Sequence, residues 1–399
     1  MSDDIDVGLR SPAELRAAPP PGHEPALLEA IRDEIRRAGP IPFARFMELA
    51  LYHPELGYYA SGRRGPGREA DFLTAPEAHP IFGWAIARQL EEAWQRLGRP
   101  ARFTIREHGA GTGSLAAGIL DGLARSGSGL RAAVRYRVAE LAPSRERQVA
   151  ARLESLGAVG VLEVDDGAPV TGAILANEVL DALPVHRVEG RPGGLVELYV
   201  GLGDDGELTT VEGPASTPAL AARLASEGVR LEPGQRAEVC LALDGWIRAA
   251  AEGLERGLVL LVDYGHPATA LYDPARGSLL RAYVRHRVHD DPYRNVGRQD
   301  LTAHVDLTAV ERAAAASGLD HLGTTTQAEF LAGLGAGELL AGLHDDPATT
   351  VQGYLEARAA LFRMLDPKVT GRFNVLVFGR GLPRAPTLAG LAYRLRGRA

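Results

Sequence analysis

Lysine is nearly absent from this chain of 399 residues: of the 44 basic side chains, all but Lys368 are arginine. So complete a bias points to GC-rich coding, as in many bacteria, rather than to a designed arginine surface. Cysteine is equally scarce. Cys240 stands alone, which excludes a disulfide framework and a cysteine-based zinc site, and no metal site is expected. Aromatic residues make up only 6%. No apolar run approaches the ~20 residues needed to cross a bilayer. The first ten residues carry three aspartates and lack an apolar core, so neither a signal nor a transit peptide is expected there. The net charge of −7 argues against general nucleic-acid binding. These absences leave a soluble cytoplasmic protein, with no membrane or nucleic-acid partner, as the expectation. A hydrophobic share of 45% and a charged share of 24% suit an ordinary globular core.

The most informative stretch is Glu107-His108-Gly109-Ala110-Gly111-Thr112-Gly113-Ser114. A β-prone run feeds an acidic residue, then three alternate glycines, then an Ala/Leu-rich helical pattern. Alternate glycines let the backbone turn sharply and leave no Cβ between main chain and ligand. A dinucleotide fingerprint needs its third glycine at position 114, which is serine. Glu-x-Gly-x-Gly-x-Gly instead resembles motif I of class I S-adenosylmethionine (SAM) methyltransferases. Without a pyrophosphate to repel, Glu107 can face a cationic ligand end.

The surrounding pattern alternates strands and helices, as in a parallel doubly wound α/β sheet. Strands are expected at 102–107, 134–140, 159–164, 172–177, 257–265, 319–326 and 373–379, with helices at 24–38, 43–52 and 80–97. Short antiparallel strands at 185–188, 196–200 and 208–211, with a helix over 218–227, read as an insertion. The expected organisation is a disordered tail (1–22), an N-terminal helical region (23–100), the sheet domain in two parts (101–184 and 251–382) around an insertion covering the substrate pocket (185–250), and a C-terminal tail (383–399). Residues 57–67 read as a mobile loop.

Ligands in open α/β sheets bind outside the carboxyl ends of the strands. Those ends carry Glu107, Glu140, Asp165 or Asp166, Asn177 with Glu178, and Asp263. Glu140 suits two ribose hydroxyls, with Leu141 counted beside it in the cofactor site, and either Asp165 or Asp166 could accept from an adenine amine. Asn177 could accept an N–H from the acceptor or hold the cofactor's amino-acid end. Glu178 and Asp181, three apart, would share a face of one helical turn and could clamp a guanidinium, which pairs with carboxylates in bidentate fashion. His266 has the intrinsic pKa of a general base, and Tyr264 could wall the pocket. The basic segment 281–289 reads either as a site for an acidic partner or as a solvated face.

Beyond the glycine loop, the chain resembles the MidA-like SAM-dependent methyltransferases, whose mitochondrial members act as complex I assembly factors. The resemblance rests on Gly39-Pro40-Ile41, Tyr52-His53-Pro54-Glu55-Leu56-Gly57-Tyr58-Tyr59, Asp71-Phe72-Leu73-Thr74-Ala75-Pro76-Glu77, Ile81-Phe82-Gly83, and segments 107–113, 176–186, 262–266 and 300–306. It implies a Rossmann-like class I methyltransferase sheet with an N-terminal helical region and an inserted β/helical segment. It further implies that Thr74, Pro76 and Glu77 line the active site, Thr74 and Pro76 toward the cofactor and Glu77, with Tyr58, Tyr264 and His304, toward substrate. Two positions depart from the family pattern: Ala110 where proline is more usual, and His304 where aspartate is expected.

The function expected from this reading is SAM-dependent N-methylation, with a protein arginine as acceptor. A small-molecule acceptor, or a SAM-binding assembly factor without turnover, is the alternative. A dinucleotide oxidoreductase is disfavoured by Ser114 and Glu107. The chain itself would be a monomer or homodimer.

Overall fold

The computed structural model describes residues 22–60, 74–285 and 287–394. The expected tail over 1–21, the loop beyond residue 60, Asp71-Phe72-Leu73 and His286 lie outside the described residues, as do 395–399. Residues 22–394 contain no helix long and apolar enough to cross a membrane, among those described. They divide into two compact units, each assembled from separate stretches of the chain.

One unit comprises 74–179, Ile247–Tyr264 and 313–394. It holds a seven-stranded sheet: β1 (Phe103–His108), β2 (Val134–Ala139), β3 (Leu162–Glu163), β4 (Val170–Asn177), β5 (Leu254–Asp263), β6 (Asp320–Thr326) and β7 (Asn374–Arg380). The strand order is 3-2-1-4-5-7-6. Strands 3, 2, 1, 4 and 5 run parallel, whereas β7 lies antiparallel to both β5 and β6. The sheet is thus mixed, not uniformly parallel: an apolar run such as 375–378, buried on both faces, encodes burial but not direction. The third strand is shorter than 159–164, because Val159–Val161 forms a 3₁₀ turn.

Helix α1 (Ile81–Arg96) and helix α2 (Ser114–Arg125) pack together on this sheet. Their backbones meet at glycine. A Cβ at Gly83 would lie 2.6 Å from the Gly118 main chain, so no larger side chain fits there without separating the helices. Residues 383–394 are not a tail: Leu388 and Leu391 are buried in the same core, and the Gly390 N–H reaches Gln89 Oε1 at 3.2 Å.

The other unit comprises 22–60, Leu180–Trp246 and Gly265–Arg312. The inserted strands form as expected: His186–Arg191, Gly194–Leu202, Leu208–Pro214 and Arg236–Val239 make an antiparallel sheet, with helix Ala219–Ser226. Ile41–Pro42 adds an edge to it, opposite Val200 and Tyr199. Helices Pro25–Ala38 and Phe43–Tyr52 bury Leu27, Ile31, Phe43, Phe46 and Met47 in one core with Val185, Val200 and Leu301. The linear division expected from sequence therefore differs from the compact units. The helical region splits near residue 73, and 265–312 groups with the insertion.

Candidate cofactor and acceptor site

β1 is buried along its length and delivers the chain to the glycine loop at the carboxyl edge of the sheet. Gly109, Gly111 and Gly113 have φ of 66°, 58° and 79°, the left-handed region that side chains rarely adopt. Gly109 is constrained twice, since a Cβ there would sit 2.7 Å from Val179 Cγ2. The Gly113 N–H donates to the Ala110 carbonyl at 2.8 Å, closing the turn that opens α2. Thr112 ties the loop sideways: its hydroxyl meets Glu77 Oε1, Ser114 Oγ at 3.0 Å and Arg152 Nη1 at 3.2 Å.

Glu77 was expected to touch substrate. The structure shows it holding the glycine loop through Thr112. No sequence periodicity links positions 77 and 112, so that contact was not legible. Thr74 and Pro76 are buried at the start of the short helix Ala75–Ala78, which carries Glu77.

Glu140 follows β2 and its Oε1 accepts the Gly111 N–H at 2.6 Å. Its pKa is raised, because burial disfavours the charge more than this hydrogen bond favours it. Glu107 is buried at the end of β1 and accepts the Tyr136 hydroxyl. Leu141 is 78% exposed and Val164 89%, which leaves apolar surface at the ends of neighbouring strands β2 and β3.

Either Asp165 or Asp166 was expected to offer an acceptor to adenine. Both carboxylates receive arginines from the sheet. Asp165 Oδ1 takes Arg106 Nε at 3.0 Å and Nη2 at 2.7 Å, and Asp166 Oδ1 takes Arg137 Nη1. Arg106 and Arg137 are themselves buried, and a buried guanidinium needs such a counter-charge. Each aspartate also closes its own turn, Asp165 Oδ1 accepting the Gly167 N–H at 3.3 Å and Asp166 Oδ1 the Ala168 N–H at 3.0 Å.

At the end of β4 the chain turns through Glu178 with φ 54°, an uncommon conformation for a residue with a side chain. Asn177 Nδ2 donates to Glu178 Oε1 at 3.1 Å, while Asn177 Oδ1 is buried with no partner among the described residues. The neighbouring strand end braces this turn: the Glu178 N–H donates to the Val262 carbonyl at 2.8 Å, and Asp263 accepts the Val179 N–H at 3.2 Å. Asp263 also accepts the Tyr264 N–H at 2.8 Å, and the Tyr264 ring packs on Phe373. Glu178 and Asp181 do not share a helical turn. Only Leu180–Ala182 is helical, as a 3₁₀ turn, and Glu178 precedes it in a left-handed conformation.

In the other unit, His266 and His304 lie 5.5 Å apart, ring to ring. An arginine can only donate, so His266 Nε2 accepts from Arg276 Nη1 at 3.0 Å. The lone pair a general base would use is thus engaged. Tyr58 is fully buried in the core of that unit, where it packs edge-on against Tyr59.

The donor set fits a SAM-type cofactor: a bare left-handed glycine loop, the Glu140 carboxylate anchored to it, and an orphaned acceptor on Asn177. Known proteins agree. Residues 85–325 match the Methyltransf_28 family of S-adenosyl-L-methionine-dependent methyltransferases. The chain is 29% identical to a protein named protein arginine methyltransferase NDUFAF7 homolog, mitochondrial, from Drosophila melanogaster, over 77% of this chain and 74% of that one. It is 28% identical to protein arginine methyltransferase NDUFAF7 of Homo sapiens, over 88% and 84%. A crystal structure of a COG1565 superfamily member from Burkholderia thailandensis, bound to S-adenosyl-homocysteine, is 33% identical and superimposes with a TM-score of 0.83 over 96% of this chain and 97% of that one. The chain belongs to the Methyltransf_28 family: it is a SAM-dependent methyltransferase with a class I fold.

Proposed function

We propose that the acceptor is a guanidinium nitrogen of a protein arginine. The observation that carries this reading is the placement of Glu178. It is held on a left-handed turn by Val262 and Asp263 and touched by the Asn177 amide. A strained residue kept in place by its surroundings marks a position where geometry matters to function. Bound SAM supplies an electrophilic methyl on a sulfonium. The protein's task is to make a guanidinium nitrogen nucleophilic, although this group stays protonated in water. A fixed carboxylate localises the positive charge on the nitrogens it faces and leaves the remaining one richer in electrons. Asn177 Oδ1 is the acceptor for a substrate N–H or the cofactor's ammonium in this reading. The names of the fly and human relatives support an arginine acceptor.

The test is transfer of labelled methyl from SAM into a lysate lacking this protein, followed by hydrolysis of the protein fraction. Labelled methylarginine is the expected product, and Glu178→Gln should bind SAM normally while losing most of the transfer. Label confined to small molecules would overturn the reading.

A further inference from the structure

The glycine loop is surrounded by carboxylates. Glu140 holds Gly111, Glu77 holds Thr112, and Glu107 lies two residues before Gly109. Glu107 is only 3% exposed, and its hydrogen-bond donor is the Tyr136 hydroxyl. The residues opposite it on the flanking strands are Val138 and Leu175, both apolar. Among the described residues no arginine or lysine forms an ion pair with Glu107. The other charged groups acting on it are Glu140 and Glu77, of its own sign. A buried carboxylate without a cation either takes up a proton or waits for a cation to arrive.

We propose that Glu107 carries a proton in the cofactor-free protein and releases it to solvent when the sulfonium of SAM docks on the glycine loop, so that this residue selects the cationic cofactor over the neutral thioether product. The methyl donor brings a positive charge that S-adenosyl-homocysteine lacks. The sulfonium makes ionised Glu107 more favourable with the donor than with the product, and product release is eased because the carboxyl regains its proton. Desolvation pushes the Glu107 pKa up to about 8, against the smaller opposing effect of Tyr136. Its ionisation therefore falls where ligand charge can tip it. The inference depends on the cofactor and not on the identity of the methyl acceptor.

Calorimetric titration of the full-length, cofactor-free protein with SAM and with S-adenosyl-homocysteine tests it, at pH 7.5 in phosphate and in Tris. The two buffers differ in ionisation enthalpy, so released protons appear as a heat difference. The expected result is greater proton release with SAM, and a SAM preference that grows about tenfold between pH 6.5 and 8.5, as linkage requires. The ligand's own α-amino group titrates in this range, and Glu107→Gln subtracts it, because that variant should lose the excess release and the pH-dependent preference. Should Glu107→Gln fail to fold, Tyr136→Phe is the second probe. Removing the hydroxyl donor should move the release midpoint to higher pH. Equal proton release for the two ligands, or a preference unchanged by pH, overturns the proposal.

Discussion

Glu140 and Gly111 are joined by a carboxylate-to-backbone hydrogen bond of 2.6 Å that links the end of β2 to the middle of the glycine loop. One side chain thus shapes the loop and, we propose, also offers an oxygen to a ribose. Glu140→Ala removes both functions and leaves the Gly111 N–H without its acceptor, which costs about 1–3 kcal/mol for a buried donor. SAM and S-adenosyl-homocysteine should both bind roughly 10- to 100-fold more weakly, as an energy of that size implies. Glu140→Gln keeps an acceptor and should lose less. Affinities unchanged by Glu140→Ala would remove the ribose assignment.

Gly109→Ala should destabilise the protein by two separable routes. The left-handed φ of 66° costs a side chain about 1 kcal/mol or more, and the new methyl would press on Val179 Cγ2 at 2.7 Å. Val179→Ala in the same chain should relieve the steric part and leave the backbone part. A double-mutant cycle read by denaturant unfolding measures the difference. Strictly additive effects would show that Val179 yields freely.

Glu77 and Glu178 should separate cleanly in kinetics. Glu77 grips the loop through Thr112, so Glu77→Ala should raise the KM for SAM several-fold and leave the KM for the acceptor close to wild type. Glu178→Gln should lower kcat instead, by roughly 100-fold if the carboxylate supplies about 2.7 kcal/mol in the transition state. An acceptor KM raised selectively by Glu77→Ala would return Glu77 to the substrate side.

What could be read from the sequence follows from what sequence patterns encode. Apolar runs bounded by glycine and acidic residues located the strands within a few positions, and their carboxyl ends located Glu107, Glu140 and Asn177 at one edge of the sheet. Direction was not encoded: the run at 374–380 reads the same whether it lies parallel or antiparallel. Side chains that meet across long stretches of chain were also invisible. Arg106 and Arg137 capture Asp165 and Asp166 from neighbouring strands, and Glu77 reaches Thr112. The helices at 25–38 and 43–52 showed their amphipathic faces clearly. Their burial against Val200 and Leu301 depends on tertiary partners that no local pattern names.

Glu227 and Asp306 give a pH dependence that sits apart from the chemistry. The Glu227 side chain is completely buried, with Oε1 at 2.9 Å from Arg312 Nη2 and 3.6 Å from Arg223 Nε. The Asp306 carboxyl lies within hydrogen-bonding reach of the Glu227 carboxyl, and Asp306 Oδ1 accepts the Ala309 N–H at 3.0 Å. Desolvation, then the Asp306 carboxyl, raises the Glu227 pKa from 4.5 to about 8, with Arg223 and Arg312 opposing. The folded protein therefore holds a proton that the unfolded chain has given up. Stability from this group is fully present below about pH 4.5 and is lost as pH rises toward 8. The wild type should lose on the order of 1–3 kcal/mol between pH 5.5 and 8.5 from Glu227. Glu227→Gln is neutral at every pH and keeps the shape. Its unfolding free energy should fall less steeply across that window and should match or exceed wild type above pH 8. Parallel stability curves for the two proteins would show that the pair holds no extra proton.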